Sequence, residues 1–166
     1  MTGLITDIAV LRDLLQSRVP DVCLHIDQCG LPWAVITTKW LICLFAEVLP
    51  IETVLRIWDC IFLEGYKVRS LFAVYAHTTK RFYSFQKSNS FQILFRVALT
   101  LIIRHKNEIL TGDDISALAD LFRGIVKNDA VTNCHEFINS IFIVPGKLTR
   151  RDIERLRIAH AATTVR

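Results

Sequence analysis

The run Trp40-Leu-Ile-Cys-Leu-Phe-Ala-Glu-Val-Leu-Pro50, followed at once by Ile51-Glu-Thr-Val-Leu-Arg-Ile-Trp-Asp-Cys-Ile-Phe-Leu-Glu-Gly65, decides how this chain folds. Both pieces are apolar, and their apolar residues recur at helical rather than alternating spacing. In the second piece Val54, Leu55, Trp58, Ile61 and Phe62 make one broad face, which is expected to point inward. Glu52, Arg56 and Asp59 lie at i, i+4 and i+7 as a charge-paired stripe. The first piece predicts a helix over Trp40–Leu49. Pro50 suits the first turn of the next helix, which is expected to run to about Leu63.

Toward the N-terminus, Thr6 can cap a helix in which Ile8, Leu11 and Leu15 recur, and Pro20 suits the start of a second helix ending near Gly30. Toward the C-terminus, residues 93–104 are apolar almost all round except Arg96, Thr100 and Arg104, which are four apart. Such a helix belongs in the middle of a bundle, with one narrow polar seam. Asp113 and Asp114 favour a helix start before the stripe Ile115, Leu118, Leu121, Phe122 and Ile125, and Val131, Cys134, Phe137, Ile138 and Ile141 repeat the spacing. After Pro145-Gly146 a basic helix is expected, with Thr149 as cap and Asp152 three residues on. No period-2 strand of useful length stands outside 68–92. The fold class is all-α, a helical bundle.

The chain has 166 residues, 52% of them apolar and 22% charged, which fits one packed core and excludes a disordered or low-complexity protein. The apolar stretches Trp40–Ile51 and Val97–Ile103 are too short to span a membrane. Asp7 and Asp13 interrupt the place where a signal peptide needs an apolar run, so a cytoplasmic location is expected. Five cysteines (Cys23, Cys29, Cys43, Cys60 and Cys134) without C-x-x-C spacing are expected to be reduced and buried. Residues 1–67 carry five basic and eight acidic groups, 68–92 four and none, 93–146 five and six, and 147–166 six and two. The excess of +4 therefore sits in one segment and one tail, which argues against a nucleic-acid-binding face.

Three groupings could suggest chemistry. Cys23, His25, Asp27 and Cys29 alternate, but on a helix they split into two pairs and cannot form the tetrahedral set that zinc needs. Cys134 and His135 are adjacent and so point about 100° apart on a helix, which does not suit a nucleophile and its base. Asp113 and Asp114 are explained by a helix start. No metal and no organic cofactor are expected, and the residues taken alone support only a helical bundle.

The quoted run, together with Leu94-Phe-Arg-Val-Ala-Leu-Thr-Leu-Ile102, resembles the C-terminal half of the TBC domain, the Rab GTPase-activating module of vesicle trafficking. The resemblance covers nearly all of the chain outside 68–92. It implies an all-α fold and a GTP-bound Rab-family small GTPase as partner, with the membrane reached only through the Rab. It also implies two fingers supplied in trans, an Arg from I-x-x-D-x-x-R and a Gln from Y-x-Q. Neither motif is found. Tyr66, Tyr75 and Tyr83 are followed two places on by Val68, His77 and Phe85, and Asp152 to Arg155 has the D-x-x-R spacing without the leading Ile. Met1 is therefore expected to fall inside a TBC domain, with residues 1–146 its C-terminal half and 147–166 a basic C-terminal helix or tail. This chain alone is expected to be inactive, either a truncated activator or a non-catalytic adaptor that binds a Rab. Arg56, Trp58, Asp59, Gly65 and Arg96 match family motif positions, and the expectation is that they are mainly structural and in part Rab-facing.

The family's Glu-Gly-x-Lys turn passes directly into the next helix, whereas here 25 residues, Val68 to Gln92, intervene. The segment holds Arg69, Lys80, Arg81 and Lys87, no acid and six aromatics (Phe72, Tyr75, Phe82, Tyr83, Phe85 and Phe91). Val-Arg at one edge and Phe-Gln at the other can be encoded as GTAAGA and TTTCAG, the boundaries of a spliceable intron. The segment is therefore expected to be a retained intron or a mispredicted exon, with an ordinary family-specific loop as the alternative, extruded between two helices, with Gly65 permitting a tight reversal and no residue lent to the helix stripes above. Stretching the connection costs on the order of 2 kcal/mol in closure entropy.

Overall fold

A computed structural model describes residues 2–72 and 79–164. Among them there are ten helices and no strand: α1 (Thr2–Gln16), α2 (Pro20–Gln28), α3 (Trp33–Ile42), α4 (Ile51–Phe72), α5 (Thr79–Arg104), α6 (Lys106–Ile109), α7 (Ile115–Ile125), α8 (Asp129–Thr132), α9 (Cys134–Ile143) and α10 (Arg150–Thr164). The all-α expectation holds.

Helix α5 is the axis of the bundle and packs against α1, α3, α4, α9 and α10. Every residue from Ile93 to Ile102 except Arg96 is at most 1% exposed, as a helix apolar on nearly all sides requires. The seam Arg96, Thr100 and Arg104 turns toward α9. Arg104 reaches Ser140 Oγ at 3.2 Å and Glu136 Oε1 at 3.2 Å, and Thr100 Oγ1 donates back to the Arg96 carbonyl at 2.8 Å. Helix α4 is pinned to α8 by the buried Thr53 hydroxyl, which donates to the Val131 carbonyl at 2.6 Å. Helix α10 lies along α1, held by Arg157 Nε on Asp7 at 2.6 Å and His160 Nε2 on Asp13 at 2.6 Å.

Helix α2 ends as Gly30 suggests. Gly30 has φ +73, its N–H reaches the Asp27 carbonyl and the Leu31 N–H reaches back to Ile26, the Schellman arrangement. Asp114 caps α7 by accepting from the Ala117 N–H at 2.7 Å. Thr149 and Asp152 form a reciprocal capping box at the start of α10, with N–H to side-chain oxygen distances of 3.2 Å in both directions.

Several expectations need correction. Helix α1 starts at Thr2, so Thr6 lies buried inside it instead of capping it. The helix expected over Trp40–Leu49 is α3, Trp33–Ile42, and the chain turns at Leu44 and Phe45, whose φ values are 49 and 63. Pro50 precedes α4 as its cap, giving the first carbonyl to the Val54 N–H. Helix α4 does not stop near Leu63 but continues through Gly65 to Phe72, and α5 starts at Thr79 well before Ile93. Tyr66 to Phe72 contains no Pro, and one helical Gly costs only about 1 kcal/mol, so nothing local forces the stop. The described parts of 68–92 thus extend two helices, and Gln92 donates to the Leu148 carbonyl at 2.8 Å. Residues 73–78 of that segment lie outside the described residues. Of the cysteines, all five are free thiols but only Cys23 is buried. On α7, Ile115 is exposed at the helix start while Leu118, Phe122 and Ile125 are buried.

Candidate partner-binding face around Trp58

Helix α4 does not bury one broad face. Val54, Ile57 and Ile61 enter the core, whereas Leu55 and Phe62, both expected inside, are 52% and 66% exposed, and Ile51 is 64% exposed. Between these two groups stands Trp58, half-buried, whose indole N–H donates to the Leu44 carbonyl at 3.1 Å.

That bond explains what Trp58 does locally. Leu44 occupies the left-handed position at the end of α3, where Gly is usual because a Cβ costs about 1 kcal/mol or more there. The Phe45 N–H reaches back to the Trp40 carbonyl at 3.1 Å, and the Phe45 ring is fully buried with its centroid 5.8 Å from Trp40. Burial of Phe45 and the bond from Trp58 offset the strain of two successive left-handed residues. The sequence offers no Gly or Asn at 43–49 to signal this turn.

The other motif residues divide sharply. Arg56 meets Asp59 at 3.1 Å in a pair whose side chains are both more than half exposed. Solvent screening makes such a pair worth little. Gly65 lies within α4. Arg96, by contrast, is built into the bundle. Its guanidinium donates to the carbonyls of Ile141 at 3.4 Å, Gly146 at 3.4 Å and Leu148 at 3.2 Å, and lies 5.8 Å from the centre of the Phe142 ring. Arg18, which no motif or spacing singles out, holds the same turn through the carbonyls of Pro145 at 2.9 Å and Lys147 at 3.2 Å. Burial, and then the charge of Arg96, lower the Arg18 pKa. Two cations side by side are tolerated because each donates to backbone carbonyls, Arg96 to one in the last turn of α9 and both to those of the turn that follows it.

The groupings weighed for chemistry are placed as follows. Cys23 is buried, which pushes its thiol up to about 11. His25 Nε2 lies 2.9 Å from the Gly112 carbonyl and the Cys29 thiol 3.7 Å from it, so that ring nitrogen is the donor and is not free to act as a base toward Cys29. Asp27 joins three helices, accepting from Arg12 at 2.6 Å and from the Trp33 indole at 2.9 Å. The bond from Arg12 holds its carboxyl below the usual range against the opposing effect of burial, and Trp33 adds to it. Among the described residues, no group of three or more His, Cys, Asp or Glu is placed to hold a metal ion. His135 is exposed at the start of α9, and Arg155 is exposed on α10 at 4.0 Å from Asp152. No helix of the described residues is long and apolar enough to cross a membrane.

Comparison with known proteins agrees with the helical pattern. The Rab-GTPase-TBC domain family matches residues 1–110, a span that includes α3, α4 and α5. Growth hormone-regulated TBC protein 1 of Rattus norvegicus is 41% identical over 157 residues, covering 95% of this chain and 46% of the relative. The Homo sapiens protein of the same name is 38% identical over 157 residues, 95% of this chain and 39% of its own length. Growth hormone-regulated TBC protein 6 of Caenorhabditis elegans is 29% identical over 157 residues, with 95% and 39% covered. The chain spans less than half the length of these curated relatives. No solved structure matches it.

Proposed function

The chain belongs to the Rab-GTPase-TBC domain family, a family of GTPase activators, and we propose that it acts as the finger-less C-terminal half of a Rab activator in vesicle trafficking. In this reading it completes the domain's body and part of the surface offered to a GTP-bound Rab, in the cytoplasm, without a cofactor and with the membrane reached only through the Rab. The Arg that offsets charge on the phosphates and the Gln that orients water come from elsewhere. One observation carries the reading: the Asp152–Arg155 spacing lies on α10 with Arg155 exposed and no Ile before it, and no Tyr is followed by x-Gln. A panel of Rab proteins loaded with GTP, followed by phosphate release, tests it. The chain alone should leave every intrinsic rate unchanged, and stimulation comparable to that of an intact TBC domain would overturn the assignment.

A second reading, a non-catalytic helical adaptor that holds a Rab, is favoured by the exposed apolar residues of α4. It predicts saturable binding of GTP-loaded Rab without faster hydrolysis. The 68–92 segment remains proposed as a retained intron. Deleting Val68 to Gln92 should raise solubility and leave helix content elsewhere unchanged, and transcripts from many tissues that keep those codons would refute the intron.

A further inference from the structure

The segment 43–49, Cys-Leu-Phe-Ala-Glu-Val-Leu, contains no Gly, Pro, Asn or Asp, and its own preference is to carry α3 on toward Pro50. The fold overrides that preference at two residues. Leu44 and Phe45 take φ values of 49 and 63, a region that a Cβ makes costly and that Gly enters freely. Two contacts with residues outside the segment hold them there. The Trp58 indole N–H donates to the Leu44 carbonyl at 3.1 Å, and the buried Phe45 ring lies against Trp40, which in turn meets Phe122 at 6.1 Å between ring centres. Beyond the break the Leu49 N–H already reaches the Phe45 carbonyl at 3.1 Å, so the two left-handed residues stand between α3 and a further helical bond.

We propose that 43–49 is a two-state element, a turn in this structure and a continuation of α3 when its two catches, the Trp58 bond and the Phe45 ring, are released. In the continued helix the Leu44 carbonyl accepts the Val48 N–H in place of the indole, and Phe45 stands about 140° round from Trp40, so the two rings part. Lys39 and Glu47, which meet at 3.4 Å across the turn, come to lie about 12 Å apart along the axis. Pro50 closes the continuation, because the residue before a proline disfavours helical backbone. About six added residues lengthen α3 by roughly 9 Å and drive the start of α4 outward, so the length of one helix and the place of the next are set together. Trp58 is half-buried, and a contact that draws its indole off Leu44 therefore shifts the balance toward the longer helix. The device needs no property of the family, and its failure leaves the Rab reading standing.

The preference for Gly or Ala at residue 44 reads which state is present, because both changes remove the same side chain beyond Cβ, a left-handed backbone favours Gly and a helix favours Ala. In urea unfolding of the full chain, Leu44→Gly should show a folded-to-unfolded ratio about fivefold above that of Leu44→Ala. With Phe45→Ala and Trp58→Phe added, which releases both catches, the order should reverse, with Leu44→Ala ahead by about fivefold. A carbodiimide joins a lysine to a carboxylate that it touches, so the Lys39–Glu47 product seen by mass spectrometry in wild type should fall about tenfold in Phe45→Ala with Trp58→Phe, while the far-ultraviolet helix signal is no smaller. If Leu44→Ala is at least as stable as Leu44→Gly in the otherwise unchanged chain, the turn stores no strain and the proposal is overturned, whether or not the released variants fold. An order that does not reverse overturns it too. So does loss of the Lys39–Glu47 product together with helix signal, which would mean that the segment unfolds instead of continuing α3.

Discussion

Helices α4 and α5 lie against each other and are both dense in apolar side chains, but the chain uses them differently. From Ile93 to Ile102, α5 is enclosed on every side except at Arg96, whose cation is consumed by three carbonyls. From Ile51 to Phe62, α4 sends Val54, Ile57 and Ile61 inward and leaves Ile51, Leu55 and Phe62 in water. Hydrophobic periodicity specifies that a side chain wants burial, and it is silent on which molecule supplies the cover. A strip left open beside a filled core is the kind of surface that interfaces present.

The sharpest way to break the comparison is to cut into the enclosed helix. Phe95→Ala should cost about 3–5 kcal/mol, because Phe95 is fully buried and its neighbours on five helices cannot all collapse into the void. Thermal melts followed by circular dichroism would show it, and a cost under about 1 kcal/mol would mean that α5 is not enclosed. The two motif arginines come next. Arg96→Ala removes the guanidinium that donates to the Ile141 and Gly146 carbonyls and should cost about 2 kcal/mol, whereas Arg56→Ala, which breaks only a solvated pair, should cost less than about 1 kcal/mol. Equal losses in urea unfolding would contradict the different settings assigned to them.

Which parts were legible follows from where the signals sit. Pro20 and Gly30 bracket α2, Asp114 caps α7 and Thr149 with Asp152 opens α10, because each is a local rule satisfied within a few residues. The turn at Leu44 was illegible because its two left-handed residues are Leu and Phe, stabilised by the distant Trp58 and by burial instead of by their own type. The extent of α4 was misjudged for the opposite reason, since Gly65 is a signal that the helix overrides. At the candidate site, spacing gave the Arg56–Asp59 pair and the polar seam, but could not tell that Leu55 and Phe62 face outward while Ile61 faces in. Arg18 carried no motif, and the two partners that tie it to the turn after α9 lie more than 120 residues away.

Smaller effects refine the picture. The Asp27 carboxyl titrates below its ordinary value of 3.8 in the folded protein, so its contribution is present above that value and is lost as pH falls below 3.8 toward the folded value. Asp27→Asn should therefore flatten the acid limb of a stability-against-pH curve measured by urea unfolding, and an unchanged limb would remove Asp27 from the contacts that join α1, α2 and α3. Smallest of all, Leu55→Ser and Phe62→Ser should each shift the melt of this chain by no more than about 0.5 kcal/mol, since neither side chain leaves a filled core. A larger loss would place them inside the bundle.

The most direct measurement is the mass of this chain alone in solution, by size-exclusion chromatography with light scattering. If the exposed apolar strip of α4 is a surface that seeks cover, the protein should elute as polydisperse species heavier than its 19.0 kDa monomer. A monodisperse 19.0 kDa monomer would contradict the account, because the strip would then need no cover.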